Sequence, residues 1–464
     1  MIRKNSKKEL SAHRMGTMDI HRLLITLSVP MMTSMAVQAL YNIVDSIYVS
    51  HIDTKALAAV SLAFPLQSLM HAFMNGTCIG VNSYLSRSLG AKDYSAVRKT
   101  AAHGIMLCIF AWLMFIGVGL GFGATYFKAL TNDPQIIQYG ITYVQIVLPF
   151  SIGSFLAMMT ERMLASTGNT FYAMIAQVSG AVTNTILDPL LIFGLLGFPK
   201  MGMAGAAIAT VIAQSLAAVI SLYFNFTRNK DIDLSFKGFR VDFHIIKKIY
   251  QVGLPSMLMN SVDSFMFYSM NKILIGFSTV ATTIFGVYYK LQSFFFLPVY
   301  GVNYGMIPII GYNYGARNGK RVLDTVHIAI RYAMVFMTLG FAVFMLFPDK
   351  MLTLFNADGE MIKVGSVALR IISTHFLLAG FCIIFLAVFQ AIGNGTLSMV
   401  ATAMKHLLFR LPSAYFLASF GDVNLVWWCW LISEAGSLLF CSIFYFHIVK
   451  KEMKSFPLPQ TAES

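Results

Sequence analysis

Long apolar stretches alternate with short polar connections along nearly the whole chain. Stretches such as 105–123 and 204–224 are largely apolar, and about 20 such residues form a helix long enough to cross roughly 30 Å of hydrocarbon. The pattern predicts twelve transmembrane helices, near 23–49, 57–87, 98–126, 135–163, 171–197, 203–226, 250–275, 279–312, 322–347, 362–391, 397–420 and 423–448.

Short sequence landmarks recur at one fixed spacing. Pro30 recurs as Pro255 and Gly80 recurs as Gly305, and both subtractions, 255 − 30 and 305 − 80, give 225. This repeat indicates an internal duplication into two halves of six spans. Because six is even, each half starts and ends on the same side of the membrane, so the repeat is parallel. We therefore expect an all-α integral membrane protein with two six-helix lobes related by a pseudo-two-fold axis.

Composition and charge support a membrane protein with a defined orientation. The 464 residues are 57% hydrophobic and 12% charged, whereas soluble domains average about 25% charged residues. The net charge of +14 comes from basic residues at both ends and in alternate connections. This distribution predicts cytoplasmic termini and no nucleic-acid partner. The predicted segments are a cytoplasmic tail (1–22), an N-lobe (23–226), a cytoplasmic linker (227–249), a C-lobe (250–449) and a second tail (450–464).

The two halves differ in their intramembrane acids. Asp45 has Met270 as its partner at the 225 spacing, and Asp188 has Ser413. An aspartate at mid-bilayer costs roughly 2.5 to 3.5 kcal/mol on insertion scales, so something must offset both. Three polar residues are expected at similar depth or on the same helix faces: Gln38, Asn184 and Thr210.

Two carboxylates with amide and hydroxyl neighbours are typical of a site for a small cation. Such a site would accept H⁺, and the same oxygen atoms would suit Na⁺; the residues do not separate the two ions. The alternative is that Asp45 and Asp188 are structural groups that hydrogen-bond to neighbouring helices. We favour the cation site because intramembrane acids commonly mark ion pathways.

The second half carries its own charged residues within predicted spans. Asp263 and Lys290 fall at similar depths and could form an ion pair, as could Arg410 and Glu434. A neutralised pair is a common way to bury charge, so a structural role is the simpler interpretation. Coupling or substrate binding at Asp263 stays open as the alternative.

Several of these landmarks resemble the MATE family of multidrug and toxic compound extrusion transporters, here of the prokaryotic branch with an acidic amino-terminal lobe. The resemblance covers nearly the whole chain and rests most specifically on 308–317, PIIGYNYGAR, with Asn184 and Asp188-Pro189 in the fifth span. It implies that Asp45, Asn184, Asp188 and Thr210 form the coupling site, that Pro30 allows the first span to bend, and that Asp263 stands where another branch has a functional Glu.

The resemblance also implies the function. It predicts a secondary active transporter of the cell membrane that exports diverse, often cationic, drugs or toxic metabolites through alternating access. Antiport of H⁺ or Na⁺ would drive export without a cofactor, and we expect a monomer in the lipid bilayer.

Two other functions are less consistent with the sequence. A flippase for lipid-linked oligosaccharides or peptidoglycan precursors, from the same superfamily, would need a cationic cavity, and no Lys or Arg cluster lies deep in the first-half spans. An integral-membrane enzyme is disfavoured because the chain has no HExxH sequence and no Gly-rich phosphate loop.

Overall fold

The computed structural model describes residues 10–355, 357 and 359–456. Parts of both predicted tails, 1–9 and 457–464, lie outside the described residues. The described part of the first tail contains a short helix, α1 (Leu10–Thr17). Met15 is buried, and its carbonyl accepts hydrogen bonds from Asn313 Nδ2 at 3.0 Å and from an Arg321 guanidinium nitrogen at 3.2 Å. These contacts anchor this end of the chain before the first predicted span begins.

The first six predicted spans correspond to helices in the same order. They are α2 (Ile20–Ser50), α3 (Thr54–Gly90), α4 (Tyr94–Gly117) with a π-helical segment (Val118–Phe122) and α5 (Gly123–Leu130), α6 (Pro134–Val147) with α7 (Ile152–Ser166), α8 (Thr170–Phe193) and α9 (Met203–Thr227).

The second six predicted spans follow the same plan. They are α10 (Phe243–Ile275), α11 (Thr279–Gly315), α12 (Gly319–Leu346), α14 (Gly359–Ser373) with α15 (Phe376–Ala391), α16 (Gly395–Ala403) with a π-helical segment (Met404–Arg410) and α17 (Leu411–Ala418), and α18 (Val423–Val426) with α19 (Cys429–Phe444), a further π-helical segment (Tyr445–Val449) and α20 (Lys450–Ser455). The short helix α13 (Pro348–Thr353) lies in the connection after α12.

Length and apolar composition identify most of these helices as membrane spans. Within the described ranges, eight helices are long and apolar enough to cross a bilayer. The number rises to ten spans if each of two bent helix pairs is counted as one span. The pairs are α6 with α7, bent by 50°, and α14 with α15, bent by 47°. The predicted seventh and eleventh spans fall outside this count, and both carry ionisable residues: Asp263, Lys405, His406 and Arg410.

The chain forms two compact units whose boundaries differ from the predicted ones. Among the described residues, one unit contains 10–14 and Thr33–Gly253, and the other contains Met15–Met32 and the residues from Leu254 to 456. The predicted boundaries, at 23 and 250, fell at the ends of spans, whereas the observed ones divide α2 and α10 internally. Each division lies within three residues of a proline inside the helix, Pro30 or Pro255, where the ring removes a backbone hydrogen bond.

The repeated glycines explain how the divided helices pack within each unit. In the first unit a Cβ on Gly80 would lie 2.2 Å from the Ile249 carbonyl oxygen, and in the second a Cβ on Gly305 would lie 2.4 Å from Ser28 Oγ. Only glycine permits such close helix approach. The duplication at 225 therefore preserves two equivalent contacts, α3 against the first part of α10 and α11 against the first part of α2.

Candidate functional site

Asp188 is the centre of a polar cluster in the first unit. Its side chain is 0% exposed and lies on α8, one residue before Pro189. Asn184 lies one helical turn earlier and is also buried. In the amide orientation that satisfies both partners, Asn184 Nδ2 donates to Asp188 Oδ2 at 3.0 Å, and the amide oxygen accepts from the Thr210 backbone N–H at 3.2 Å.

A second carboxyl group faces this cluster from α2. The side chains of Asp45 and Asp188 lie within hydrogen-bonding distance of each other. An ionised carboxylate only accepts hydrogen bonds, so two carboxyl groups in direct contact require a proton between them or a bound cation. The structure thus brings together Asp45, Asn184 and Asp188.

Thr210 and a tyrosine complete the cluster from two other helices. Thr210, on α9, is buried, and its hydroxyl donates to the Ala206 carbonyl at 3.0 Å, which leaves the hydroxyl lone pairs available to neighbours. Tyr143, on α6, places its hydroxyl within hydrogen-bonding distance of Thr210 and accepts a 3.1 Å hydrogen bond from Gln67 Nε2. Sequence reasoning missed Tyr143 and Gln67.

Subtraction of the repeat would have found Tyr143. Its partner at the 225 spacing is Ala368, and the partners of Asn184 and Thr210 are Phe409 and Ala435. These three polar residues have apolar counterparts, just as Asp45 has Met270, whereas Asp188 is matched by Ser413. Gln67, by contrast, is matched by Gln292, so the repeat gives no signal for it.

Two other predicted residues lie apart from the observed contacts of the carboxyl pair. Gln38 accepts a 3.1 Å hydrogen bond from Gln177 Nε2 and contacts Asn42 Oδ1 at 3.5 Å, one turn along α2. The structure therefore places Gln38 in an amide ladder on the same helix as Asp45. Pro30 lies inside α2, two residues before the division between the two units.

The second unit contains a cluster of mixed charge in its last spans. Glu434, on α19, is fully buried, and its carboxylate lies 2.8 Å from Lys405 Nζ and 3.7 Å from an Arg410 guanidinium nitrogen. The ion pair predicted between Arg410 and Glu434 is thus confirmed, with Lys405 as the closer partner. His375 Nδ1 lies 3.5 Å from the same carboxylate, and His375 Nε2 lies 2.9 Å from the Tyr288 hydroxyl.

The π-helical segment explains why both cations reach Glu434. In an α-helix five residues advance about 500°, so Lys405 and Arg410 would point roughly 140° apart. A π-helix pairs residues five apart, which aligns these two side chains. Pro412 follows the segment and has no N–H to donate to the Leu408 carbonyl, consistent with an irregular turn at this point.

Asp263 pairs with a histidine and not with Lys290. Its carboxylate lies 3.0 Å from His406 Nε2, and its side chain is 55% exposed. Lys290 is exposed, and no carboxylate of the described ranges lies within salt-bridge distance of it. The predicted Asp263–Lys290 pair is therefore wrong, because equal depth on two helices does not require that their side chains face each other.

Comparison with known proteins gives a consistent result. The sequence profile of the MatE family matches residues 30–190 and 255–416, once in each half of the repeat. The chain is 26% identical to the multidrug export protein MepA of Staphylococcus haemolyticus (strain JCSC1435) over 421 residues, which cover 90% of this chain and 91% of that protein.

Solved structures share the whole architecture. A multidrug resistance MATE family transporter of the MOP superfamily, in an outward-facing conformation, is 26% identical, with a TM-score of 0.87 over 94% of this chain and 97% of that one. A MATE structure in the bent conformation is 25% identical, with a TM-score of 0.89 over 96% and 99% of the two chains. The predicted fold, twelve transmembrane helices in two six-helix lobes, is confirmed. Because the MatE family profile matches both halves of the chain, this chain belongs to the MatE family of multi-pass membrane transporters.

Proposed function

We propose that this protein is a multidrug efflux transporter that exports diverse small molecules in exchange for protons bound at Asp45 and Asp188. The observation that carries the proposal is the direct contact between these two carboxyl groups, with Asp188 completely buried. Membership of a transporter family, and similarity to MepA over nine-tenths of the chain, support export over an enzymatic activity.

The arrangement of oxygen atoms favours H⁺ over Na⁺. A proton shared between Asp45 and Asp188 satisfies both carboxyl groups without any further ligand. A sodium ion would need more oxygen ligands than two carboxyl groups supply, and the Asn184 amide oxygen already accepts from the Thr210 backbone N–H.

Alternating protonation and deprotonation of Asp45 and Asp188 would couple the entry of protons to the export of the drug. Protons arriving from outside neutralise Asp45 and Asp188, the polar cluster loses its net charge, and the affinity for a cationic drug falls so that the drug leaves. Opening to the inside then releases the protons. Each net charge moved inward through 100 mV, as when two protons enter for one monovalent cationic drug, supplies about 2.3 kcal/mol, enough for a roughly fiftyfold drug gradient. No cofactor takes part in this cycle.

Orientation and assembly belong to the same proposal. The basic connections favour cytoplasmic termini in the bacterial cell membrane, and a single chain contains all the residues of the proposed cycle. A flippase for lipid-linked precursors would be expected to need basic residues near the first-half cluster, whereas the residues found there are carboxylic acids, amides, a threonine and a tyrosine.

The experiment is efflux of a fluorescent cationic dye from proteoliposomes containing the purified full-length chain. A pH gradient and a Na⁺ gradient are imposed separately. We expect efflux under the pH gradient alone, and loss of most of it in Asp45→Asn and Asp188→Asn. The matched control is Asp233→Asn, which removes one exposed carboxylate from the linker and should transport normally.

Each other result has a defined meaning. Full pH-driven efflux in both carboxyl variants would contradict the proposed coupling site. Efflux driven by Na⁺ and not by the pH gradient would replace the proton with sodium. If neither gradient moves any dye, multidrug export itself is contradicted and the flippase function is favoured.

A further inference from the structure

A basic pocket lies at one end of the first unit, next to the linker between the two halves. Its volume is about 520 Å³. Three segments line it: the start of α4 supplies Arg98 and Lys99, the linker supplies Lys237 and Arg240, and the start of α10 supplies His244. We propose that this pocket binds the phosphate headgroup of an anionic phospholipid.

Contacts within the unit hold the linker in place and so build the pocket. The Asp242 backbone N–H donates to His103 Nε2 at 2.8 Å, and the His103 ring lies 4.9 Å from the Phe239 ring. Gly238 adopts a φ of +70°, a left-handed conformation that favours glycine, and it turns the chain between Lys237 and Phe239. The basic side chains therefore project from a fixed turn and not from a freely moving loop.

The charge of the pocket is strongly positive. Four Lys or Arg residues and one acid, Asp242, line it, which gives 4 − 1 = +3 before His244 is counted. Asp242 is engaged by Lys99 Nζ at 3.3 Å and caps α10 by accepting from the His244 N–H at 3.0 Å. In the described part of the chain, no carboxylate lies within salt-bridge distance of Arg98, Lys237 or Arg240. These three side chains are available for an anion.

Exposed apolar residues beside the pocket distinguish a lipid from a free anion. Phe243 is 80% exposed, Val241 is 51% exposed and Phe236 is 49% exposed. A soluble phosphate gains nothing from such neighbours. A phospholipid presents its phosphate to the basic side chains and its glycerol and upper acyl chain to the apolar ones. Basic pockets on the cytoplasmic side of membrane proteins bind lipid headgroups in this manner, and the linker is predicted to lie on that side.

The experiment measures lipid binding to the full-length chain in neutral detergent by native mass spectrometry. Phosphatidylglycerol and phosphatidylcholine with identical acyl chains are titrated in parallel. The pocket variant is Arg98→Gln/Lys237→Gln/Arg240→Gln. The matched control, Arg228→Gln/Lys230→Gln/Lys247→Gln, removes three charges from the same region outside the pocket lining.

The wild-type chain should bind phosphatidylglycerol at least tenfold more tightly than phosphatidylcholine. Each Lys or Arg near an anionic lipid contributes about fivefold in affinity, so the pocket variant should lose at least tenfold and the control less than twofold. The single variant Lys237→Glu, in an exposed turn, should weaken binding without affecting folding. Equal losses in the pocket and control variants would overturn the site, and displacement of the lipid by millimolar inorganic phosphate would overturn the choice of lipid.

Discussion

The carboxylate of Glu434 lies 2.8 Å from the ammonium group of Lys405, and these side chains are only 0% and 16% exposed. Arg410 and His375 approach the same carboxylate at 3.7 and 3.5 Å. At the 225 spacing Glu434 corresponds to Ala209 and Lys405 to Gly180. The last spans of each half thus hold different polar clusters, one rich in acids and the other with paired charges.

Removal of one partner from this buried network should destabilise the protein. Glu434→Gln leaves Lys405 and Arg410 without their counter-charge, and breaking a buried ion pair in this way costs about 3–5 kcal/mol. Lys405→Met in the same chain removes one of the uncompensated charges, so the double variant should recover part of the loss. The free energy of unfolding in mixed micelles measures both effects.

An exposed ion pair serves as the control for this comparison of single and double variants. Lys55 Nζ lies 2.8 Å from Asp133, with side chains 42% and 31% exposed. Water and salt screen such a pair, so the same double-variant cycle should give a much smaller coupling energy. Additive losses for Glu434→Gln and Lys405→Met would contradict the prediction.

The fold could be predicted from the sequence much further than the side-chain partners. Apolar length and the 225 repeat indicated twelve spans in two lobes, because hydrophobic matching to the bilayer is a property of whole segments. The partners of single charges depend on helix rotation, which periodicity does not fix. Similar depth suggested that Asp263 could pair with Lys290, whereas its partner is His406, and nothing in the sequence pattern indicates the π-helical turn that brings Lys405 to Glu434.

In the candidate site, too, some residues could be predicted from the sequence and others could not. Asp45 and Asp188 stood out because carboxylates are costly in a membrane, and Asn184 was found by its helical spacing. Tyr143 did not stand out by its cost, since a tyrosine in a span is an ordinary amphipathic residue, and only its replacement by Ala368 at the 225 spacing marks it. Its position beside Thr210 depends on how α6 packs against α9.

A methyl group at Gly305 should disrupt packing in the second unit. The added Cβ of Gly305→Ala would lie 2.4 Å from Ser28 Oγ and 2.9 Å from the Ser28 backbone nitrogen, and overpacking of this kind typically costs about 1–3 kcal/mol. Gly286→Ala is the matched control on α11, because beyond the local backbone of α11 itself nothing lies within 4 Å of its added Cβ. Thermal unfolding should show a lower midpoint for Gly305→Ala only. Equal midpoints for the two variants would show that α2 and α11 separate without cost.

Asp133 should contribute stability that depends on pH. A hydrogen bond from Lys55, together with the backbone N–H groups of Gln135 and Ile136, lowers the pKa of Asp133 below its ordinary value of 3.8. Because the pKa is lower in the folded state, the contribution is fully present above the ordinary value and is lost as the pH falls through the folded-state pKa. Asp133→Asn keeps a capping side chain but removes the charge.

The measurement for Asp133 is the difference in unfolding midpoint between wild type and Asp133→Asn as a function of pH. This difference should be constant near neutral pH and should shrink below about pH 4. The exposed linker variant Asp233→Asn should show little difference at any pH. A wild-type advantage for Asp133 that persists unchanged in acid would contradict the assignment.

Tyr143 should tune the carboxyl cluster through its hydroxyl group. Tyr143→Phe keeps the ring but removes the contacts with Gln67 and Thr210, and loss of a hydrogen bond worth about 0.5–1.5 kcal/mol predicts a two- to tenfold decrease in gradient-driven dye efflux. Tyr139→Phe, one turn earlier on α6, loses only a contact with Gln135 and should transport normally. If Tyr143 had a purely structural role, Tyr143→Phe would lower the unfolding midpoint. Its effect on dye efflux would then add to the effect of any other variant. We expect instead an unchanged midpoint, and no further loss when Tyr143→Phe is combined with Asp188→Asn, because both changes act on one cation-binding step.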